Sequence, residues 1–205
     1  MRWLSVLLAA VLLVGCTWGG TKPDPKPEPE TPPKTPAEVE KVLGARAREV
    51  VGFLKAKDVD RLAGVIHPEK GVRFSPYGHV DTAKDLVFGP QALKDAWNNK
   101  RLYQWGSYDG SGEPINLGVQ DYFARFVYDV DFSAAPQIGW GQSIGQGNTV
   151  DNWKEAYPNG IMVEFHYPQI DPKFEGKDWR SLRLVFEKKG SDWLLVGIIH
   201  AQWTI

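Results

Sequence analysis

The sequence predicts an α+β domain, with N-terminal helices packed on a curved, mainly antiparallel sheet. Three observations predict it. Apolar residues from Val39 to Leu54 recur at helical spacing. Three late segments, residues 161–167, 180–188 and 192–200, are rich in Val, Ile, Leu and aromatic residues and read as strands. Lys189-Gly190-Ser191, between the last two, suits a tight hairpin.

The elements follow in order. Thr35-Pro36-Ala37-Glu38 has the features of a helix start, with an early proline and an acidic first turn. Val39, Val42, Leu43, Ala47, Val50, Val51 and Leu54 continue that helix to about Lys57. Asp58 is placed to cap a second, shorter helix carrying Val59, Leu62, Ala63 and Ile66, and Pro68 follows its end. Residues 71–80 form a strand candidate interrupted by Pro76 and Gly78. Gly89-Pro90 opens a third helix reaching about Asn98, and residues 101–108 read as a strand. Residues 119–127 fit a helix or a strand, with a slight preference for helix. Gly139 to Gly147 superficially resembles a phosphate loop. It lacks the Gly-Lys-Ser/Thr ending and the strand-to-helix context, so it is read as a loop or edge hairpin.

Before this domain lie two segments of different chemistry. Residues 1–15 carry one positive charge, Arg2, and then an apolar stretch from Trp3 to Gly15. That stretch is shorter than the roughly 20 residues a bilayer-spanning helix needs, and it fits a secretory signal peptide. Leu13-Val14-Gly15-Cys16 resembles the lipobox of bacterial lipoproteins. The resemblance implies cleavage before Cys16, acylation of its thiol, and a protein lipid-anchored to the extracytoplasmic face of a cell membrane. Residues 17–36 hold seven of the 15 prolines, interleaved with Lys, Asp and Glu. Such a segment favours polyproline II and has no packable apolar face. At about 3.1 Å per residue it spans up to roughly 60 Å. A PxxP ligand is the alternative role for it.

The 205 residues carry 24 basic and 25 acidic side chains and one cysteine. Residues 37–205 hold 20 basic and 22 acidic, a net of −2. This balance lacks the basic excess expected of a nucleic-acid binder. A single cysteine excludes an intramolecular disulfide and a Cys-based zinc site. The four histidines include no i, i+4 pair and no HExxH, and no GxSxG elbow is present. No metal or cofactor is implied.

The order of helices and strands in residues 37–205 resembles the NTF2-like (SnoaL-like) superfamily, whose fold is a cone of helices on a curved sheet. The segments His67 to Tyr77 and Val196 to Ile205 also resemble uncharacterised envelope lipoproteins of bacteria. The superfamily resemblance implies a pocket on the concave face, often with His and acidic residues, and functions that range from dehydratases to non-catalytic binding domains. The long glycine-rich middle, residues 106–158, departs from the minimal fold.

Alternation within the strands supplies site candidates. If the polar sides of the last three strands coincide, Glu164, His166, Arg183, His200 and Gln202 share one concave face. A solvated sheet face gives the same alternation. His67, Arg73 and Tyr77 form a second cluster near the start of the sheet, for which a helix stop followed by a strand is the simpler reading. Trp97, Trp105, Trp140, Trp153 and Trp179, with Tyr103, Tyr108 and Tyr157, supply either core packing or stacking platforms for a glycan or peptide. Trp140 and Trp153, in polar glycine-rich surroundings, are the ones expected to be exposed.

The functional expectation is a membrane-tethered lipoprotein of the cell envelope whose domain binds a ligand or acts as an accessory, with a cell-wall glycan, a peptide or an envelope protein as partner. A cofactor-independent hydrolase or dehydratase using His166 or His200 with a carboxylate competes with it. A structural docking module is the third class. A His166–carboxylate distance of about 3 Å in an enclosed cavity distinguishes the enzyme.

Overall fold

A computed structural model describes residues 32–204. The signal segment, the lipobox with Cys16 and most of the Pro-rich stretch lie outside the described residues. No described helix is long and apolar enough to cross a membrane.

The described residues open with two helices. α1 (Pro36–Ala56) starts at a capping box. Thr35 Oγ1 accepts from the Glu38 N–H at 3.3 Å, and Glu38 Oε2 accepts from the Thr35 N–H at 2.9 Å. It ends where Lys57 turns left-handed at φ 53°. Its apolar stripe, Val39, Leu43, Ala47, Val50 and Leu54, is buried. Asp58 caps α2 (Val59–Val65) by accepting from the Arg61 N–H.

A six-stranded sheet and a separate hairpin follow. The strands are β1 (Val72–Ser75), β2 (Leu86–Phe88), β3 (Tyr103–Ser107), β4 (Pro114–Leu117), β5 (Gln137–Trp140), β6 (Ile161–Tyr167), β7 (Arg180–Lys189) and β8 (Asp192–Gln202). The main sheet has the order β2-β1-β8-β7-β6-β5, and β3 pairs with β4 apart from it. Among the named strands of the described residues, β1 and β8 are the pair that runs parallel. The remaining helices are α3 (Pro90–Asn98), α4 (Val119–Phe126) and α5 (Trp153–Ala156). The molecule is thus α+β, with a curved, mainly antiparallel sheet.

The two faces of the sheet bury different residues. The inner face, toward α1 and the other helices, carries Val163, Phe165, Leu182, Leu184, Phe186 and Ile198. Against them packs an aromatic cluster in which Trp105 stacks on Tyr122, with centroids 3.7 Å apart. The outer face carries Met162, Val185, Val196 and Ile199, covered by Val80, Trp153 and Tyr157. A bulge sets the faces near the hairpin. Val185 pairs with Gly197 and Phe186 with Leu195, so Val196 is the extra residue.

Several elements differ from the expectation. The strand candidate at 71–80 shortens to β1, because Pro76 lacks the N–H a ladder needs. Residues 119–127 form helix α4, with Val119, Tyr122, Phe123 and Phe126 on its buried stripe. Strands β2 and β4 and the single turn α5 arise in stretches given no element, and β5 reaches into the run read as a loop or edge hairpin. Trp153, expected to be exposed, is buried in the outer cluster. Its neighbours along the chain are polar, but it is the one large apolar group α5 can set against the sheet. Trp140 is half-buried, with the Arg48 guanidinium over its ring at 5.3 Å. Trp105, Trp179 and Tyr157 are buried too, so packing claims most of the aromatic set.

Candidate functional site

Register decides which polar residues meet. Glu164 on β6 faces Arg183 on β7, and His166 faces Ser181. All four are buried on the outer face. Arg183 pairs across β8 with Ile199, whereas His200 pairs with Leu182. His200 therefore lies on the inner face, while Gln202, paired with Arg180 at the end of β8, reaches the cavity beside Arg183. The expected single constellation is split in two. Alternation assigned the residues within each strand, but it carries no information on how the polar sides of neighbouring strands align.

The outer-face cluster is built around the Glu164 carboxylate. Oε2 accepts from the Ile144 N–H at 2.7 Å and Oε1 from the Gly145 N–H at 3.0 Å. Arg183 Nε lies 3.4 Å from Oε2, while its Nη2 donates to the Gly145 carbonyl at 2.7 Å. Arg183 Nη1 sits 3.2 Å from Asp151 Oδ2, which also accepts from the Ser143 hydroxyl. The loop 141–151 is thereby fastened over the sheet by one carboxylate and one guanidinium. Gly145 makes this approach possible, since a Cβ there would lie 2.6 Å from Ser181 Oγ and 2.7 Å from the Trp179 ring.

His166 is turned away from acid–base work. Its Nδ1 is 2.8 Å from Ser181 Oγ and 3.9 Å from Glu164 Oε1. Burial pushes the imidazole below its ordinary range, helped by the Arg183 cation, although Glu164 pulls the other way. The ring is neutral at pH 7.

Beside the cluster is a cavity of about 210 Å³, lined by Arg183, Trp179, Asp151, Thr149, Gln202 and the glycines 78, 145 and 147, among others. The Trp179 indole N–H and Arg183 Nε are buried and make no hydrogen bond among the described residues. Arg183 Nε faces Glu164 Oε2 at 3.4 Å, which leaves the Trp179 indole as the unpartnered donor of a lining residue. Asp151, Ser181 and Gly145 were not among the expected site residues. The glycine-rich run 139–147 was the sequence signal for Gly145 and reads equally as a surface loop, while Ser181 shares the alternation of Arg183 along β7.

On the inner face, His200 Nε2 lies 3.2 Å from Asp129 Oδ2, which also accepts from Arg180 Nε at 3.0 Å. Burial works against the Asp129 charge, but His200 and Arg180 hold its carboxyl below the usual range. His200 is fully buried, with Phe126 edge-on to its ring.

The secondary candidates His67, Tyr77 and Arg73 lie apart from this cluster, each with its own contacts. His67 Nδ1 accepts from the N–H groups of Glu69 and Lys70, closing the turn after α2. Tyr77 Oη accepts from the Asp109 N–H. Arg73 Nη1 donates to the carbonyls of Thr82 and Asp85. Among the described residues, no group of three or more His, Cys, Asp or Glu is arranged to hold a metal ion. No protein-family model, curated protein or solved structure matches the chain.

Proposed function

We propose that this chain is a lipid-anchored, extracytoplasmic lipoprotein of a bacterial cell envelope whose folded domain binds a ligand without transforming it. The observation that carries the binding reading is the state of Glu164. Its side chain is fully buried, both oxygens accept backbone N–H groups and Arg183 lies beside it, so the carboxyl is not presented to a substrate. His166, its nearest acid–base partner, is 3.9 Å away and bonded to Ser181 instead.

The adjoining cavity supports a small polar ligand. At about 210 Å³ it is smaller than the roughly 300–1,000 Å³ of drug-sized pockets, which suits a single sugar ring or a peptide side chain. Two carboxylates, Glu164 and Asp151, face one guanidinium, which disfavours an anion there. The unpartnered indole N–H of Trp179 suits a carbonyl or hydroxyl oxygen. A neutral segment of cell-wall glycan meets both conditions. The anchor reading rests on the lipobox at residues 13–16, and the NTF2-like reading on two opening helices ahead of a sheet that ends in a long hairpin.

The test uses the full-length protein in detergent, titrated with soluble cell-wall glycan fragments. Saturable binding is expected, with Trp179→Phe weakening it about tenfold, which is the loss of one buried hydrogen bond. Binding that ignores Trp179→Phe, or no binding at all, sinks the ligand reading. In cells, Cys16→Ala should abolish acyl labelling and membrane retention, and normal processing of that variant sinks the anchor reading.

A further inference from the structure

A second cavity opens on the outer face at the other end of β7. It has a volume of about 330 Å³ and is lined by Lys70, Arg73, Tyr157, Asn159, Glu187 and Val196, among others. The Trp153–Tyr157 packing separates it from the Glu164 site.

Its floor is an unpartnered hydroxyl. Tyr157 is 6% exposed, and its Oη makes no hydrogen bond among the described residues. The phenol lies across β8 because position 197 is glycine, where a Cβ would come within 2.6 Å of Oη. Gly197 pairs in register with Arg73 of β1, so Arg73 projects from the same face beside the hydroxyl. Burial pushes the phenol above its ordinary range, so it stays protonated and able to donate.

The charged side chains lining the cavity are Lys70 and Arg73 against Glu187. The Arg73 guanidinium is held in place by the carbonyls of Thr82 and Asp85. Lys70 Nζ donates to Glu187, and an ammonium has further donors to offer. Glu187 is the one carboxylate on the wall. The Asp85 carboxylate is turned to Ser75 Oγ and the Asp81 N–H and does not line this cavity.

We propose that this cavity binds a small oxyanion group, a carboxylate or a phosphate, through the Tyr157 hydroxyl, the Arg73 guanidinium and the Lys70 ammonium. All three are donors, and two are cations. A donor set of this kind is complementary to an acceptor-rich anion and not to a cation or an apolar group. The site is distinct from the glycan cavity in position and in charge sign, and it does not depend on that reading.

The full-length protein in detergent is titrated with sodium phosphate and separately with sodium acetate, at ionic strength held constant with chloride. Saturable one-to-one binding by at least one anion is expected, with a dissociation constant below about 10 mM. Binding by phosphate alone assigns a phosphate ligand, and binding by acetate alone assigns a carboxylate. Tyr157→Phe keeps the ring that packs the outer face and removes only the hydroxyl. It should raise the dissociation constant about tenfold, as should Arg73→Gln. Lys189→Gln, which breaks only the exposed pair with Glu69, should leave binding unchanged. The proposal is overturned if neither anion saturates, or if Tyr157→Phe and Arg73→Gln bind as the parent does.

Discussion

The two faces of the sheet are buried by different physics. On the inner face, Trp105, Tyr122, Phe74 and Phe126 pack among helices by apolar and ring contacts. On the outer face, a loop and one helical turn cover buried charge. Hydrophobic packing is non-directional and stabilises any arrangement that fills the space. A carboxylate accepting two particular N–H groups is directional and works in only one loop position. The inner face therefore supplies stability, while the Glu164–Arg183 pair specifies where residues 141–151 rest.

The largest effect should come from separating that pair. Arg183→Met leaves Glu164 as an uncompensated buried charge and should cost about 3–5 kcal/mol in denaturant unfolding. Amide exchange at Ile144 and Gly145 should quicken further than in the rest of the sheet. Trp105→Ala should cost a similar amount, about 3–5 kcal/mol, through the cavity it leaves. It should not single out the 141–151 loop. Equal protection of Ile144 and Gly145 in the two variants would remove the distinction between the faces.

Local signals carried much of this fold into the sequence. The capping box at Thr35, the stripe from Val39 to Leu54 and the hairpin at Lys189-Gly190-Ser191 each act within a few residues, so they are readable without a partner. β2, β4 and β5 are short strands held by what they pair with, and their sequences alone show little. The site was half legible for the same reason. Glu164, His166 and Arg183 were identified by alternation, but His200 was placed with them although it faces the other way. Cross-strand register made that difference, through pairs such as Leu182 with His200. Asp151 and Gly145 reach the site along a loop that no periodicity describes.

Smaller effects should appear as opposed pH dependences. His166 titrates below its ordinary value of 6.5 in the folded state, chiefly through burial. As pH falls below about 6.5 the unfolded chain takes up this proton first, so stability is full above that pH and declines below it. Asp85 behaves in the opposite sense. Burial raises its carboxyl from 3.8 to about 6. Between about pH 4 and 6 the folded state binds the extra proton, so this contribution is present at the low end and lost as pH rises. Unfolding midpoints from pH 4 to 8 should lose the acid-side decline in His166→Gln. In Asp85→Asn the midpoint should rise at pH 7, because Asn can still accept from Ser75 and Asp81. Parallel pH curves for the parent and both variants would show that neither burial matters to folding.

The smallest effect sharpens the contrast most finely, because it compares one hydroxyl on each face. Tyr122 is fully buried against Trp105, and its Oη makes no hydrogen bond among the described residues. Folding strips that oxygen of water and returns nothing in the protein, while the ring does the packing. Tyr122→Phe keeps the stack and removes the desolvated group, so stability should change by about 0 to +1 kcal/mol. Ser181 on the outer face is also fully buried, but its Oγ lies 2.8 Å from His166 Nδ1. Ser181→Ala strands the imidazole nitrogen and should cost about 1–3 kcal/mol. If Tyr122→Phe proves the more damaging of the two, the Trp105–Tyr122 stack depends on a polar contact of its own, and the contrast between the two hydroxyls fails.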